Sequence, residues 1–389
     1  MSTHVPPRRD EEQKQDKGGP QPVPEAQPTA PTATAPPPRA ITAPAPAVSL
    51  TAGKLPDWAP WVAILGSAAA TAAILAVIGF KVALMLIFTA IISGVVIYTW
   101  SRAVEGRRAA TDRGVTVLVT VAFLVAVAPL LSLLYTVFDR GLARFDSDFF
   151  TISMRGVVGA GGGAYHAILG TLIITGLATL ISVPIGIMTA IYLQEYGGGR
   201  LRRLVTFFVD VMTGIPSIVA GLFAYALFAI FFGPGIRLGI IGAVALSVLM
   251  IPIVVRSTEE MLRIVPNHLR EAAFALGVSK WRTIVKVVLP TAMAGIITGV
   301  MLAIARIIGE TAPLLITTGV VTSVNGNPFD GRMSNLAVFA FNQYKSPGVP
   351  PEASFDRAWS AALTLIVIVM VLNLLARLLY RRFGTDLRG

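Results

Sequence analysis

The sequence predicts an all-α, polytopic membrane protein. Hydrophobic residues make up 54% of the 389 residues and charged residues only 14%, and the mean hydropathy is +0.71. A soluble domain carries about 25% charged residues, so lipid must solvate much of this chain. Eight apolar runs follow one another, each long enough to approach the ~20 residues that a helix needs to cross a bilayer. They lie at 59–80, 82–100, 115–138, 165–190, 206–232, 238–256, 291–320 and 358–380.

The composition also excludes several kinds of site. The chain has no cysteine, so disulfide and thiolate chemistry are excluded. Its three histidines, His4, His166 and His268, lack the spacing of metal ligands, and no metal site is predicted. The formal charge of +11 could suggest a nucleic-acid partner, but short cytoplasmic loops of membrane proteins are also basic.

The position of the basic residues decides between these explanations. With both termini in the cytoplasm, the cytoplasmic segments after residue 58 hold seventeen Lys or Arg and the outer loops eight. The seventeen lie in segments 102–113, 200–203, 256–286 and 377–388. This positive-inside bias sets the orientation and accounts for the charge without nucleic acid.

Composition divides the chain into segments. Residues 1–57 hold 13 of the 26 prolines and predict a disordered, Pro/Ala-rich cytoplasmic tail. An extra N-terminal transmembrane hairpin is expected over 58–100, with a tight turn at Phe80 and Lys81. The remaining segments are a first core helix with an outer loop (101–164), the main transmembrane domain (165–380) and a cytoplasmic tail (381–389). Pro184, Pro216 and Pro313 lie inside apolar runs, which a packed helix bundle tolerates.

A polar, basic island interrupts the apolar runs at 259–290 and is predicted to lie in the cytoplasm. Its first helix should end at Gly277, and small residues on that helix allow another backbone to approach. A second helix should begin at the N-cap Ser279 and be closed by Pro290. Two short amphipathic helices of this kind form a docking element for a partner, although an ordinary interfacial hairpin is the alternative.

Charged residues inside the apolar runs indicate a polar path. Arg306 and Glu310 fall one helical turn apart in a predicted span, and an ionised pair at such depth is expected to face a cavity. A structural staple between the two is the alternative. Arg256, at the end of the sixth run, is either part of the same path or an arginine at the membrane edge. Arginine suits a tetrahedral oxyanion, and a carboxylate can accept the proton of hydrogen phosphate, so phosphate is favoured over sulfate.

The island carries a motif that resembles the EAA loop of permease subunits of bacterial ABC importers. The matching residues are Glu271, Ala272, Ala273, Gly277, Leu289 and Pro290. Val287 departs mildly from the isoleucine that is usual in the family. The resemblance implies that this EAA loop (259–290) inserts into a groove of a separate ATPase and couples its closure to the membrane helices.

Further segments resemble the PstA-type permeases of phosphate-specific ABC importers. They are "AILGTLIITGLATLISVPIGIMTAIYLQEY" (167–196), "TGIPSIVAGL" (213–222), "IPIVVRSTEEMLRIVP" (251–266) and "RIIGETAPLL" (306–315). The resemblance implies a type I (MetI-like) permease core of about six transmembrane helices. It also implies transport roles for Arg256, Arg306 and Glu310, and a complex with a PstC-type permease, a PstB-type ATPase dimer and a PstS-type binding protein. A PstC-type identity, another oxyanion (sulfate, molybdate or phosphonate) and an ATP-independent secondary anion transporter remain alternatives.

The chain itself is not expected to be an enzyme. It lacks the Gly-x-x-x-x-Gly-Lys-Ser/Thr phosphate cradle, so the expected ATP and Mg²⁺ belong to the partner ATPase and this chain has no cofactor. The glycine-rich run 159–163 has no lysine and is predicted to be a flexible outer loop. The expected location is the bacterial plasma membrane.

Overall fold

The computed structural model describes residues 55–56, 58–78 and 82–383, and every regular element within these ranges is helical. The predictions for residues 1–54, for the turn at Phe80 and Lys81 and for residues 384–389 lie outside the described residues. The helices are α1 (Ala59–Ile78), α2 (Val82–Val104), α3 (Arg107–Gly141), α4 (Ser147–Thr151), α5 (Tyr165–Ile191), α6 (Gly199–Thr213), α7 (Ser217–Phe232), α8 (Gly239–Ile264), α9 (Asn267–Ala275), α10 (Lys280–Thr283), α11 (Leu289–Ile308), α12 (Ala312–Thr317), α13 (Leu336–Lys345) and α14 (Pro351–Phe383).

The number of membrane-spanning helices confirms the predicted class. Seven segments of the described chain are long and apolar enough to cross a membrane, and α6 with α7 forms an eighth span if this bent pair is counted as one. Each of the eight apolar runs therefore has a helical counterpart. The chain is a multi-pass, all-α membrane protein.

Two of the predicted runs are broken inside the bundle. The run 206–232 splits into α6 and α7, whose axes differ by 109°. Pro216 precedes the first residue of α7, and its missing N–H and bulky ring prevent the helix from continuing. The run 291–320 ends as a helix at Ile308, and Pro313 lies in the first turn of the short α12. Of the three prolines placed inside spans, only Pro184 lies within a continuous helix.

The centre of the bundle is the pair α5 and α8, which run in the same direction and meet through small residues. A Cβ added to Gly186 of α5 would lie 2.7 Å from Cγ1 of Val254. The Ser247 hydroxyl donates to the carbonyl of Ala243 at 2.7 Å, and a longer bond of 3.4 Å reaches the Ala178 carbonyl on α5. Small side chains let membrane helices approach closely. Such close packing matters in lipid because the hydrophobic effect does not drive helices together there. The α5–α8 pair is therefore a tightly fitted core.

Helices α1, α2 and α3 form a second packing unit, which a charged network closes at one end. Glu105, between α2 and α3, accepts hydrogen bonds from the Leu55 N–H at 2.5 Å and from the Ser101 hydroxyl at 2.7 Å. Arg113 completes the network with an ion pair at 2.7 Å, and the Glu105 side chain is only 6% exposed. Burial raises the pKa of Glu105, but these hydrogen bonds and the charge of Arg113 outweigh it and hold the pKa below its ordinary value.

The glycine-rich segment 159–163 is held in place by two arginines. The buried Arg357 of α14 donates to the carbonyls of Gly159 and Gly161 at 2.9 and 3.0 Å. Arg144 donates to the carbonyl of Gly162 at 2.8 Å. The predicted flexible loop is thus tied to α14 and to Arg144 by hydrogen bonds that the sequence did not reveal, because both arginines lie outside the glycine run.

Candidate functional site

A cavity of about 240 Å³ opens beside the break between α6 and α7. This volume corresponds to roughly eight water molecules. Its lining residues are Met212, Thr213, Ile215, Pro216, Ser217, Leu249, Pro252, Ile253, Arg306, Ile307 and Glu310. The three residues from α8 lie near the middle of Gly239–Ile264, so the cavity is about halfway across the membrane.

Arg306 and Glu310 both reach this cavity, but not as the intrahelical pair that the sequence predicted. Arg306 lies in the last turn of α11, and the helix ends at Ile308 with Gly309 as its C-cap, before Glu310. Among the described residues, the ion pairs do not include one between Arg306 and Glu310. The structural-staple alternative therefore has no support from the geometry.

The cavity also receives the N-terminus of α7. Ser217 is the first residue of this helix and lines the cavity, as does the hydroxyl-bearing Thr213 at the end of α6. The first N–H groups of a helix lack intrahelical acceptors and carry a partial positive charge, which favours anions. Sequence reasoning missed this contribution, and Pro216 inside an apolar run was the signal that could have revealed it.

Arg256 does not line the cavity. It lies one helical turn beyond Pro252 on α8, where it forms ion pairs with Asp210 of α6 and with Glu259, the latter at 2.8 Å. Two carboxylates thus neutralise this guanidinium and connect α6 to α8. The structure separates Arg256 from the two other residues of the predicted path.

The EAA loop consists of α9, a tight turn and α10, and Gly277 makes the turn. Gly277 has a φ of +73°, a conformation that L-residues with side chains rarely adopt. Its N–H donates to the carbonyl of Phe274 at 2.9 Å, and the Val278 N–H donates to the carbonyl of Ala273 at 3.1 Å. This pair of bonds is the Schellman motif that ends helices at a glycine. The predicted helix end at Gly277 is therefore present.

Much of this loop is exposed. Glu271, Ala272 and Gly277 are exposed, whereas Ala273 is buried against the rest of the protein. No atom lies within 4 Å of the position that a Cβ of Gly277 would occupy. Leu276 and Trp281, which are 83% and 63% exposed, add an apolar surface that the motif does not contain. Exposed apolar residues flanked by polar ones are typical of a protein-binding surface.

Pro290 does not close the second helix of the loop, contrary to the prediction. The helix continues from Lys280 to Ile308, and the five residues Ile284–Val288 before the proline form a π-helical turn. The wider turn lets the chain pass a residue that has no N–H and whose ring would clash in a regular α-helix. Leu289 and Pro290 are partly buried and are the first two residues of α11, so the motif ends inside this helix.

Together these features define a helical membrane permease component, with a charged cavity at half depth and an exposed helical loop. The family comparison agrees with this class. Residues 182–389 match the model of the family described as "Binding-protein-dependent transport system inner membrane component". The match covers more than half of the chain, and the chain belongs to this family.

Relatives of the chain carry more specific names. The "Phosphate transport system permease protein PstA 1" of Mycobacterium tuberculosis (strain ATCC 25618 / H37Rv) is 48% identical over 261 residues, which are 66% of this chain and 83% of the relative. The PstA of Mycobacterium leprae (strain TN) is 46% identical over 278 residues, which are 70% and 90% of the two chains. The PstA of Pasteurella multocida (strain Pm70) is 39% identical over 253 residues, or 64% and 86%.

Solved structures of lower similarity include an inward-facing conformation of the MetNI methionine ABC transporter. It is 18% identical, has a TM-score of 0.44, and the match covers 61% of this chain and 98% of that one.

Proposed function

We propose that this chain is a permease subunit of an ATP-driven importer of inorganic phosphate. The observation that carries the proposal is the cavity at half membrane depth, where Arg306, Glu310 and the N-terminus of α7 converge. Guanidinium and helix N–H groups bind an oxyanion, and a carboxylate accepts the proton that hydrogen phosphate carries and sulfate lacks. The names of the PstA relatives support phosphate among the oxyanions.

The exposure of Arg306 supports a second permease subunit. Arg306 is exposed in the isolated chain although it lines the cavity at half membrane depth. A charged side chain that faces lipid costs several kcal/mol, so a partner or an aqueous path must cover it. We assign this role to a paralogous PstC-type permease, which places the substrate path between the two subunits.

The two remaining partners, an ATPase dimer and a binding protein, would bind at opposite ends of the helix bundle. A PstB-type ATPase dimer would bind the exposed surface of the EAA loop. A PstS-type binding protein would dock on loops 139–164 and 321–357, where Arg144 and Arg357 hold the glycine-rich segment in one conformation. ATP binding then closes the ATPases and opens the path outward, phosphate leaves the binding protein, and hydrolysis restores the inward-facing state.

Location and cofactors follow from the same assignment. The distribution of basic residues supports a cytoplasmic position of the EAA loop and both termini, with the protein in the bacterial plasma membrane. ATP and Mg²⁺ would be bound by the partner ATPase, so this chain acts without a cofactor and without catalytic residues of its own.

Uptake of labelled phosphate and sulfate by phosphate-starved cells tests the proposal. The cells lack the gene and receive either the wild-type copy or an empty vector. We expect phosphate uptake to return with the wild-type copy, sulfate uptake to be unaffected, and the restored uptake to stop when ATP is depleted. If the wild-type copy restores uptake of another oxyanion alone, that oxyanion takes the place of phosphate as the proposed substrate. Phosphate uptake that resists ATP depletion would indicate a secondary transporter.

A further inference from the structure

Arg270, the residue before the EAA motif, uses all five N–H groups of its guanidinium inside the protein. Nε and Nη2 donate to Oε1 of Glu195 at 3.1 and 2.8 Å. Nη1 donates to the Val265 carbonyl at 2.7 Å and to Oδ1 of Asn267 at 3.2 Å, and Nη2 also donates to the Leu262 carbonyl at 3.0 Å. The Arg270 and Glu195 side chains are only 13% and 7% exposed. This cation is therefore fixed by the protein and is not available to a partner.

Glu195 reaches Arg270 because the end of α5 widens. Residues Tyr192–Tyr196 form a π-helical turn directly after α5, and such turns change the direction of the side chains that follow them. The next residue, Tyr196, has the ammonium group of Lys280 at 4.9 Å from its ring centroid. The π-turn therefore contacts α9 through Glu195 and α10 through Tyr196, on either side of the turn at Gly277.

The carbonyls of Leu262 and Val265 belong to the end of α8, where backbone acceptors lack helical partners. Arg270 thus joins three elements: the EAA loop, the end of α5 and the end of α8. Helix α8 also carries Leu249, Pro252 and Ile253, which line the cavity. Arg270 therefore connects the loop by hydrogen bonds to the helix that forms part of the cavity wall.

We propose that Arg270 is a positioning residue that transmits motion of the EAA loop to α5 and α8, with Glu195 as its anchor. The inference rests on the proposed function, because it assumes that an ATPase moves the loop. The role requires the planar guanidinium, since an ammonium offers only three donors and cannot contact the carboxylate and two carbonyls in the same geometry. Losing these contacts leaves the loop exposed for docking but weakens its connection to the helices.

The test uses the complete reconstituted importer with Arg270→Lys, Glu195→Gln and the double variant. Arg263→Lys is the control, because Arg263 is an exposed arginine in the last turn of α8. Three quantities are measured: recovery of the ATPase with the membrane subunits, ATP hydrolysis with and without binding protein, and phosphate transported per ATP. We expect unchanged recovery in every variant, and phosphate per ATP lowered about two- to thirty-fold by Arg270→Lys but not by Arg263→Lys.

The double variant shows whether the two residues act together. If they form one connection, adding Glu195→Gln to Arg270→Lys lowers transport per ATP little further. Unchanged transport per ATP in Arg270→Lys would overturn the proposal, and so would a loss that only follows reduced ATPase recovery. A wild-type complex that hydrolyses ATP without moving phosphate would instead refute the substrate assignment. In that case, the increase in ATP hydrolysis caused by the binding protein would be compared between the wild type and Arg270→Lys. This comparison would still test the role of Arg270.

Discussion

Arg306 and Arg270 are both arginines, but the protein surrounds them in opposite ways. All five N–H groups of Arg270 have acceptors within the chain. Arg306 is exposed, lines the cavity and has no ion pair among the described residues. A satisfied guanidinium holds structure together, whereas one with open donors is available to a ligand. This difference is the basis for the roles proposed above, positioning for Arg270 and the substrate path for Arg306.

Substitution of Arg306 tests the substrate path. Arg306→Gln removes charge-assisted hydrogen bonds to the anion, and such bonds are worth about 1.5–3 kcal/mol, so we expect phosphate uptake to fall about 10- to 100-fold. Arg306→Lys should fall between this variant and the wild type, because it keeps the charge but loses bidentate geometry. Initial rates of labelled phosphate uptake measure the effect. Arg377→Lys, an exposed arginine of α14 outside this cavity, is the control.

The outcome that would exclude the site is specific. If Arg306→Lys and Glu310→Gln complexes both transport phosphate at the wild-type rate, neither residue belongs to the path. Arg256 is not expected to behave like Arg306, since Asp210 and Glu259 already neutralise it.

At the scale of elements, the breaks in helices matter as much as the helices. The α6–α7 break brings a helix N-terminus to the cavity, the π-turn at Tyr192–Tyr196 presents Glu195, and a second π-turn carries the chain past Pro290. Hydrophobic periodicity predicts spans but does not reveal where a span opens or widens, because the same apolar residues suit both forms. The sequence therefore predicted the elements and missed their irregularities.

Gly277→Asp tests the EAA loop as an element. A side chain at φ +73° costs about 1–2 kcal/mol, and it would also occupy the open space above the turn. We expect normal amounts of the variant in the membrane but lower recovery of the ATPase with it. Gly235→Asp is a matched control, because Gly235 also has a positive φ of +85° and open space around it but lies outside the EAA loop. Undiminished recovery with Gly277→Asp would argue against docking at this turn.

The Glu105 network predicts a pH dependence for the packing of α1–α3. Because the pKa of Glu105 lies below its ordinary value of 4.5, its contribution to stability is complete above pH 4.5 and is lost as the pH falls through the folded-state pKa. We expect Glu105→Gln to lower the thermal unfolding midpoint in detergent at pH 7, and the difference from the wild type to shrink below pH 4.5.

Asp112→Asn is the control for this measurement. Asp112 is an exposed carboxylate next to Arg113 and should have little effect on the midpoint. A wild-type advantage that stays constant from pH 7 to pH 3 would show that the Glu105 charge does not stabilise these helices.

At the scale of the whole molecule, the orientation in the membrane can be tested directly because the chain contains no cysteine. Single cysteines at Ser279, in the EAA loop, and at Ser346, an exposed residue between α13 and α14, should react with an impermeant thiol reagent from opposite sides. The positive-inside rule predicts labelling of Ser279→Cys only in inside-out vesicles and of Ser346→Cys only in intact cells stripped of any outer barrier. Labelling of both from one side would contradict the eight-span arrangement.

The sequence by itself determined the membrane class, the approximate spans and the position of the EAA loop, and it singled out Arg306 and Glu310, which line the cavity. These features depend on composition, run length and local spacing, which a single chain displays directly. Only the tertiary structure decided which residues share a site. Pro216, Pro252 and Arg306 meet at one cavity, Arg256 is paired elsewhere, and Glu195 and Arg270 meet across 75 positions of sequence. Such contacts arise from the way whole helices pack, so no local pattern in the chain encodes them.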